Sequence, residues 1–412
     1  MIIDFTVGNF LSFRDEQTLS FVADNKNSAH SNHLLDTPIK GLKLLKVAVI
    51  YGPNASGKSN FLSALHRLKQ LVVNSVNNSP NDNLKVMPFR LDKESVISPS
   101  NFEINFLCEG IRYNYSILLD SQKVYFEHLS YYPKKYKKNI FTRELTDSNE
   151  YVYSFGDDLK PKRIYEDTAL KTSEKVLFLP KAVHDNSKFL KPIYDWFDKT
   201  LLEQSSLEDA AKQIDTDNVF KKNFLNFIRK QDIDIINVEV DSSSLADKII
   251  KNDKDLSPEM REKIINNFKD EVVYDIQTFH KDSDGDLVPF EFGLESHGTH
   301  KLFALSPLVL KTLEELPKTF YVDELSSALH PLLVRNFLKT FQENDNQMIC
   351  VTHDTHLIDP EYLRKDQIYF VEKDQEQSSS LYSLLEFNPR NDRENWELRY
   401  LSGRYGATPF LK

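Results

Sequence analysis

Hydrophobic and polar positions follow three different rhythms along the chain, and each predicts a different kind of element. Residues 44–51 (Leu-Leu-Lys-Val-Ala-Val-Ile-Tyr) form a mostly apolar run of strand length, the pattern of a strand buried on both faces of a parallel sheet. After a short glycine-containing break, Phe61, Leu62, Leu65, Leu68 and Val72 recur at helical spacing and predict an amphipathic helix. Phe102, Ile104 and Phe106 alternate with polar positions, as do Tyr113, Tyr115, Ile117 and Leu119 across Glu109-Gly110, which predicts an antiparallel hairpin. Residues 124–126 and 151–153 extend that sheet, residues 1–5 read as a first strand, and residues 25–38 are polar enough to be a connecting loop.

From 185 to 270 the pattern is helical and heavily charged, with one strand-like stretch at 233–240 between two helical ones. This segment reads as an insertion, too short and too broken in its apolar heptads for a long coiled-coil arm. Residues 319–322 and 348–351 are short apolar runs, each followed by polar residues, and 330–341 between them is helical with Pro331 in its first turn. Strand, helix, strand is the βαβ alternation, so the two halves of one α/β sheet lie at opposite ends of the chain. Ser378, Ser379 and Ser380 read as a turn.

The 412 residues, 40% hydrophobic and 12% aromatic, suffice for a large core. The only cysteines, Cys108 and Cys350, stand in strand-like apolar surroundings, which suits buried free thiols in a reducing cytoplasm. No apolar stretch approaches membrane-span length and the N-terminus lacks a signal-peptide pattern, so the expected location is cytoplasmic with no membrane contact. The formal charge of −10 argues against a surface that coats DNA indiscriminately and leaves a local basic groove open.

Gly52-Pro53-Asn54-Ala55-Ser56-Gly57-Lys58-Ser59 satisfies the phosphate-loop pattern, with Asn60 next in the helix. The flanking strand and helix place the loop where backbone N–H groups and a helix N-terminus attract a polyphosphate. Glycine is expected there because side chains would block the phosphates. Asp323-Glu324 follows the apolar run 320–322, where phosphate-loop enzymes place one carboxylate on Mg²⁺ and a neighbouring glutamate against the attacking water. The competing reading of such a pair is a cap for the next helix. Asp282 to Asp286 has a calcium-loop look, but its glycine comes two positions early and position twelve is Gly293, so a hairpin turn is expected. Residues 133–138 interleave lysine with tyrosine and read as a solvated loop, nucleic-acid or partner contact being the alternative.

Glu295-Ser296-His297-Gly298-Thr299 precedes a helical run through Leu302, Phe303, Leu305 and Leu308, and His353 follows the apolar run 348–351. In that order, with the phosphate loop and acidic pair, the chain resembles the ABC-type ATPases. The resemblance implies that Ser296 and Gly298 form a signature capping the γ-phosphate held by a second copy, with His297 in place of a glycine. A helix cap without a partner is the alternative for Ser296, and a structural histidine for His353. It also implies a switch role for His353, hydrogen-bonding the γ-phosphate and positioning water.

Asn9-Phe10-Leu11-Ser12-Phe13, residues 324–331 and residues 400–407 narrow the resemblance to the bacterial ABC-type ATPases related to the overcoming-lysogenization-defect proteins, the RloA, AbiL and PARIS AriA-like group. The likeness spans nearly the whole chain. It implies a D-loop at 326–330 with Ser326 in place of the usual aspartate, and a contact from Arg14 to nucleotide phosphate. It also implies a role in anti-phage defence with a separate nuclease, TOPRIM-like or other. Only 59 residues follow His353, too few for a complete TOPRIM domain, so any nuclease is expected on another chain.

The expected architecture is an ABC-type P-loop ATPase head with a mixed central sheet, an antiparallel β lobe and a helical insertion. Residues 1–184 and 271–412 would form the head and 185–270 the insertion. The expected cofactors are ATP, cradled by residues 52–60, and Mg²⁺, on Ser59 and Asp323. Lys58, Glu324 and His353 would carry the chemistry in a homodimer or higher homo-oligomer. The alternatives are a nucleotide-gated scaffold whose hydrolysis is incidental, and a DNA-repair ATPase of the SMC or RecF type.

Overall fold

The apolar run at 44–51 splits at Lys46, and the split assigns its halves to different sheets. Lys43–Leu45 pairs antiparallel with Leu34–Asp36, a short strand inside the segment expected to be only a loop. Val47–Tyr51 is buried at every position and enters a six-stranded sheet. Lys46 fits between because its ammonium donates to Gln342 O at 3.0 Å. Burial lowers its pKa, and the nearby Asp345 carboxylate opposes that.

A computed structural model describes residues 1–77, 82–253, 256–312, 317–390 and 394–409. By its internal contacts the chain forms two compact units: Met1–Glu203, Leu316–Ser326 and Val334–Lys412 make the first, Gln204–Glu315 and Ser327–Leu333 the second.

In the first unit the six-stranded sheet runs, in spatial order, Leu201–Glu203, Thr319–Val322, Gln347–Val351, Val47–Tyr51, Ile368–Lys373, Ser379–Ser383. Its pairings are parallel except for the last. The expected βαβ unit is therefore present, with helix Pro331–Glu343 as its crossover. The distant ends of the chain do share one sheet. Ser379 belongs to a strand, not to a turn.

The second sheet of this unit is antiparallel and seven-stranded, in the order Tyr151–Phe155, Lys138–Leu145, Val124–Tyr132, Ile111–Leu119, Ser100–Cys108, Ile2–Gly8, Gln17–Ser20. The hairpin across Glu109-Gly110 turns through two residues with φ of 49° and 76°, the left-handed pair that tight hairpins need. Residues 133–137 form the loop between two of its strands, as expected.

Helix Lys58–Asn74 touches strands of both sheets. Its Phe61 ring meets Phe5 edge-on at 5.4 Å and Phe13 at 6.0 Å, so the residues that open the chain pack against the helix that opens the phosphate site. Deep in the antiparallel sheet, the fully buried Glu127 accepts from the N–H groups of Phe178 and Leu179 at 2.6 and 2.9 Å and from Tyr115 Oη at 2.9 Å, 3.8 Å from the equally buried Arg143. Arg143 donates in turn to Val176 O and Ser173 O at 2.6 and 3.0 Å.

The second unit contains helices Leu207–Thr216, Asn218–Lys230 and His297–Lys311 and a three-stranded antiparallel sheet of Asn237–Ser244, Val272–Lys281 and Leu287–Glu291. Phe303 packs on Phe224 and Phe292 at 4.4 and 4.5 Å. The expected helical stretch at 185–270 divides differently. Residues 185–203 belong to the first unit, while the second runs on to 315 and carries a sheet. The anticipated strand at 233–240 lies at Asn237–Ser244, where the polar run hides its period. Residues 282–286 make a hairpin turn, with Asp282 N donating to Asp286 O at 3.0 Å, as anticipated.

Both cysteines are buried and free. Among the described residues no helix is long and apolar enough to cross a membrane.

Candidate nucleotide site

Parallel strands deliver their following loops to one edge of a sheet, and here three neighbouring strands deliver the predicted chemistry together. Val47–Tyr51 leads into the phosphate loop, Thr319–Val322 into Asp323-Glu324, and Gln347–Val351 into Thr352-His353.

Gly52 and Gly57 have φ of 153° and 112°. Glycine there has a reason beside the one expected. A Cβ on Gly52 would stand 2.2 Å from Val371 O, and one on Gly57 2.3 Å from Ser379 Oγ and 2.6 Å from Ser12 Oγ. The glycines let the loop lie on the neighbouring strand, as well as leaving its outer side open. That contact is organised by two buried hydroxyls the sequence reading did not single out. Ser379 Oγ donates to Ser56 O at 2.6 Å and lies 2.8 Å from Ser12 Oγ, which accepts from Asn60 Nδ2 at 2.8 Å. Ser379 N also donates to Ser12 O at 2.7 Å.

Lys58 is buried and its ammonium donates to Gly52 O and Pro53 O at 2.9 and 2.8 Å, folded back over its own loop. Burial lowers its pKa, while Asp323 and Glu324 act to raise it. Ser56 Oγ is buried with no protein partner. A buried cation, an orphaned hydroxyl and a helix N-terminus suit a polyphosphate. Asn54, Ala55 and Ser59 are exposed, Ala55 with a left-handed φ of 61°. The Ser59 hydroxyl and the half-buried Asp323 carboxylate are oxygen donors of the kind Mg²⁺ takes, and that ion uses few protein ligands beside water and phosphate.

Glu324 is exposed and held at φ 48°, an uncommon region for a side chain with a Cβ, with its N–H donating to Asp323 Oδ1 at 3.0 Å. The next residues tie the acidic pair to the histidine strand. Leu325 N donates to Val351 O at 2.8 Å, and His353 N to Ser326 Oγ at 3.3 Å. Burial and then the Lys58 cation lower the pKa of His353, with Glu324 and Asp323 opposing them. The ring is therefore neutral at neutral pH, able to donate from one nitrogen and accept at the other.

Arg14 is placed differently from the expected phosphate contact. Its guanidinium pairs with Glu376, with Asp15 at 3.2 Å and with Asp374 at 3.8 Å, and its backbone N–H donates to Ser378 Oγ at 3.3 Å. It fastens the turn at 374–377 to the start of the chain. Residues 400–407 also join the head near the site. Ala407 N donates to Glu372 Oε2 at 2.7 Å and Tyr382 Oη to Tyr405 O at 2.8 Å, so Tyr400 and the phosphate loop face each other across a cleft of about 810 Å³ bordered by Tyr51, Pro53, Thr352 and His353.

Ser296 and Gly298 lie in the second unit. Ser296 is exposed and caps helix His297–Lys311, its Oγ accepting from Thr299 N at 3.0 Å. A Cβ on Gly298 would stand 2.9 Å from Ala328 O, so glycine there admits residues 327–333 against the helix start.

Residues 47–359, more than half of the chain, match the family described as "AAA domain, putative AbiEii toxin, Type IV TA system". The chain belongs to this family. The matched span of this AAA-domain family includes the phosphate loop, the acidic pair and His353. No curated protein matches the chain. Among solved structures, the SMC head domain from Thermotoga maritima is similar at 16% identity and a TM-score of 0.41, over 93% of this chain and 98% of that one. An SMC head bound to the C-winged helix domain of ScpA is similar at 14% identity and 0.38, over 93% and 97%. This member of the AAA-domain family thus has the α/β fold of a P-loop ATPase, with its candidate chemistry at the carboxyl ends of three adjacent parallel strands.

Proposed function

We propose that the protein is an ABC-type ATP hydrolase that pairs around ATP and uses binding and hydrolysis to control a partner effector, a nuclease on another chain, in bacterial anti-phage defence. The observation that carries the ATPase reading is the convergence of Lys58, Asp323, Glu324 and His353 at one sheet edge, within a family of AAA domains. The defence reading draws support from the family's description as a toxin of a type IV toxin–antitoxin system, and from the likeness to the overcoming-lysogenization-defect-related group.

In this reading Lys58 exchanges the carbonyls of Gly52 and Pro53 for the β- and γ-phosphates, gaining a charged partner where it now has neutral ones. Ser59 and Asp323 would hold Mg²⁺, which when bound would neutralise charge on the phosphate oxygens. Glu324 takes a proton from the attacking water, and neutral His353 orients that water or the γ-phosphate. Ser296 and Gly298 act on the nucleotide of a second copy, so a lone head turns over slowly and ATP strengthens pairing.

Glu324→Gln is expected to lower phosphate release by roughly 10²–10⁴-fold while leaving ATP binding in place, because the base is lost with little change of shape. Lys58→Ala is expected to lose binding itself. Phage plating of cells carrying each variant together with the effector separates turnover from occupancy. If both fail, hydrolysis matters. If only the Lys58 variant fails, the protein is a nucleotide-gated scaffold. Unchanged phosphate release by Glu324→Gln rejects the role given to that carboxylate.

A further inference from the structure

The acidic pair and His353 fix which end of a bound nucleotide lies where, and so where its base must go. A triphosphate whose terminal phosphate faces Glu324 and His353 runs along the loop toward the first turn of helix Lys58–Asn74, and its sugar and base leave on the far side, past Asn60. A second cleft, of about 330 Å³, opens there. Asn60 and Ser12 form its phosphate-loop end, Leu11, Met87 and Leu91 supply apolar surface, and Lys373 and Gln377 supply polar groups. Its volume is at the small end of the roughly 300–1,000 Å³ range of ligand pockets, right for a fragment of a ligand and not the whole.

The walls of this cleft are built from three distant parts of the chain. Leu11 N donates to Met87 O at 2.9 Å. Asn9 accepts from Phe89 N at 3.0 Å and donates to Ser95 O and Ser98 O at 2.8 Å each, which holds residues 87–98 against residues 9–12. Arg14 fastens the third wall by pairing with Glu376 and Asp374 of the turn that carries Gln377. Met87 and Leu91 are 46% and 69% exposed, so their apolar surface is open to an occupant of the cleft. The Gln377 amide and the Lys373 ammonium make no hydrogen bond among the described residues.

We infer that this cleft receives the purine base of the bound nucleoside triphosphate, its faces covered by Leu11, Met87 and Leu91 and its edge read by Gln377. The inference rests on the nucleotide reading above and names the part of the site that reading leaves open. An amide offers a donor beside an acceptor, which matches the N6 and N7 edge of adenine, whereas guanine presents two acceptors there. Lys373 adds a donor for a ring nitrogen or a ribose hydroxyl. Arg14, expected to touch phosphate, acts instead as a positioning residue for the turn that reads the base.

The test is binding to the full-length protein of MgATP, MgGTP, MgUTP and Mg-tripolyphosphate, for wild type, Met87→Ala, Gln377→Ala and Lys58→Ala. Met87→Ala is expected to weaken ATP by about tenfold, the cost of losing much of one buried apolar side chain, and to leave tripolyphosphate unchanged. Gln377→Ala is expected to bring the affinities for ATP and GTP together, again without effect on tripolyphosphate. Both residues are exposed, so the variants fold, and an unchanged melting temperature verifies this. Equal affinity of the wild type for ATP, UTP and tripolyphosphate overturns the base subsite alone, as does weakening by Met87→Ala of tripolyphosphate as much as ATP. Failure of the wild type to bind any of the four, or full binding by Lys58→Ala, overturns the nucleotide reading with it.

Discussion

The two units treat apolar side chains in opposite ways. In the first, Val47–Tyr51, Thr319–Val322 and Gln347–Val351 are buried at every position. In the second, strand Leu287–Glu291 is exposed at every position despite Leu287, Val288 and Phe290, and helix Pro258–Phe268 buries no residue at all. The difference teaches that strand formation and core formation are separate achievements. The head buries its strands on both faces and so fixes the loops that follow them to within hydrogen-bond tolerances, as phosphate chemistry needs. The second unit closes a ladder of backbone hydrogen bonds around a thin core and leaves apolar surface on view.

The sharpest way to break this contrast is to attack the buried pair of the head. Arg143→Met leaves Glu127 ionised or protonated without its cation in a site closed to water, and is expected to cost about 3–5 kcal/mol in urea unfolding. A loss under about 1 kcal/mol would show the head to be far more pliable than its burial implies. Next in size is a pH effect at His33. Burial holds its pKa down to about 4 against 6.5, with Nδ1 donating to Gln367 Oε1 at 3.0 Å. The unfolded chain binds a proton below about pH 6.5 that the folded one refuses until about pH 4. The contribution is therefore complete above 6.5 and is lost as pH falls from 6.5 to 4, by roughly 3 kcal/mol. Unfolding of wild type and His33→Gln across that window should give curves of different slope, and parallel curves would count against it.

Smaller again is Ser379→Ala. Removing the donor to Ser56 O should weaken MgATP by about 1–2 kcal/mol while leaving the saturated turnover rate near wild type, a split that a general loss of stability would not produce. Smallest is Phe290→Ser in the second unit, expected to change stability by less than about 0.5 kcal/mol. A loss above about 1 kcal/mol would mean that the exposed face is covered in the working assembly.

Legibility in the sequence follows the same contrast. Double-sided burial writes an apolar run, so the strands before Asp323 and Thr352 are legible to within a residue, while the run at 44–51 hides the break at Lys46 that sends its two halves to different sheets. The antiparallel hairpin was legible from its alternation and from Glu109-Gly110. The three-stranded sheet of the second unit is legible only as one strand placed a few residues early, at 233–240, because Asn237–Ser244 is a polar edge strand and Leu287–Glu291 buries neither face. Ser12 and Ser379 escaped for another reason. A hydroxyl that matters only through a partner 367 residues away leaves no local pattern. Arg14 is singled out by the resemblance to related ATPases, but its partners, at 374 and 376, leave no sign among its neighbours in sequence.

The phosphate loop rests on a hydroxyl contributed by Ser379, and Gln347 bonds both the N–H and the carbonyl of Ile2 at 2.7 and 2.9 Å. A ribosome reading this message makes Ser56 of the loop 323 residues before the hydroxyl that braces it. Until Ser379 emerges, the nascent chain carries the phosphate-loop motif without the hydroxyl that holds Ser56 O. The loop is braced only once strand Ser379–Ser383 has joined the sheet.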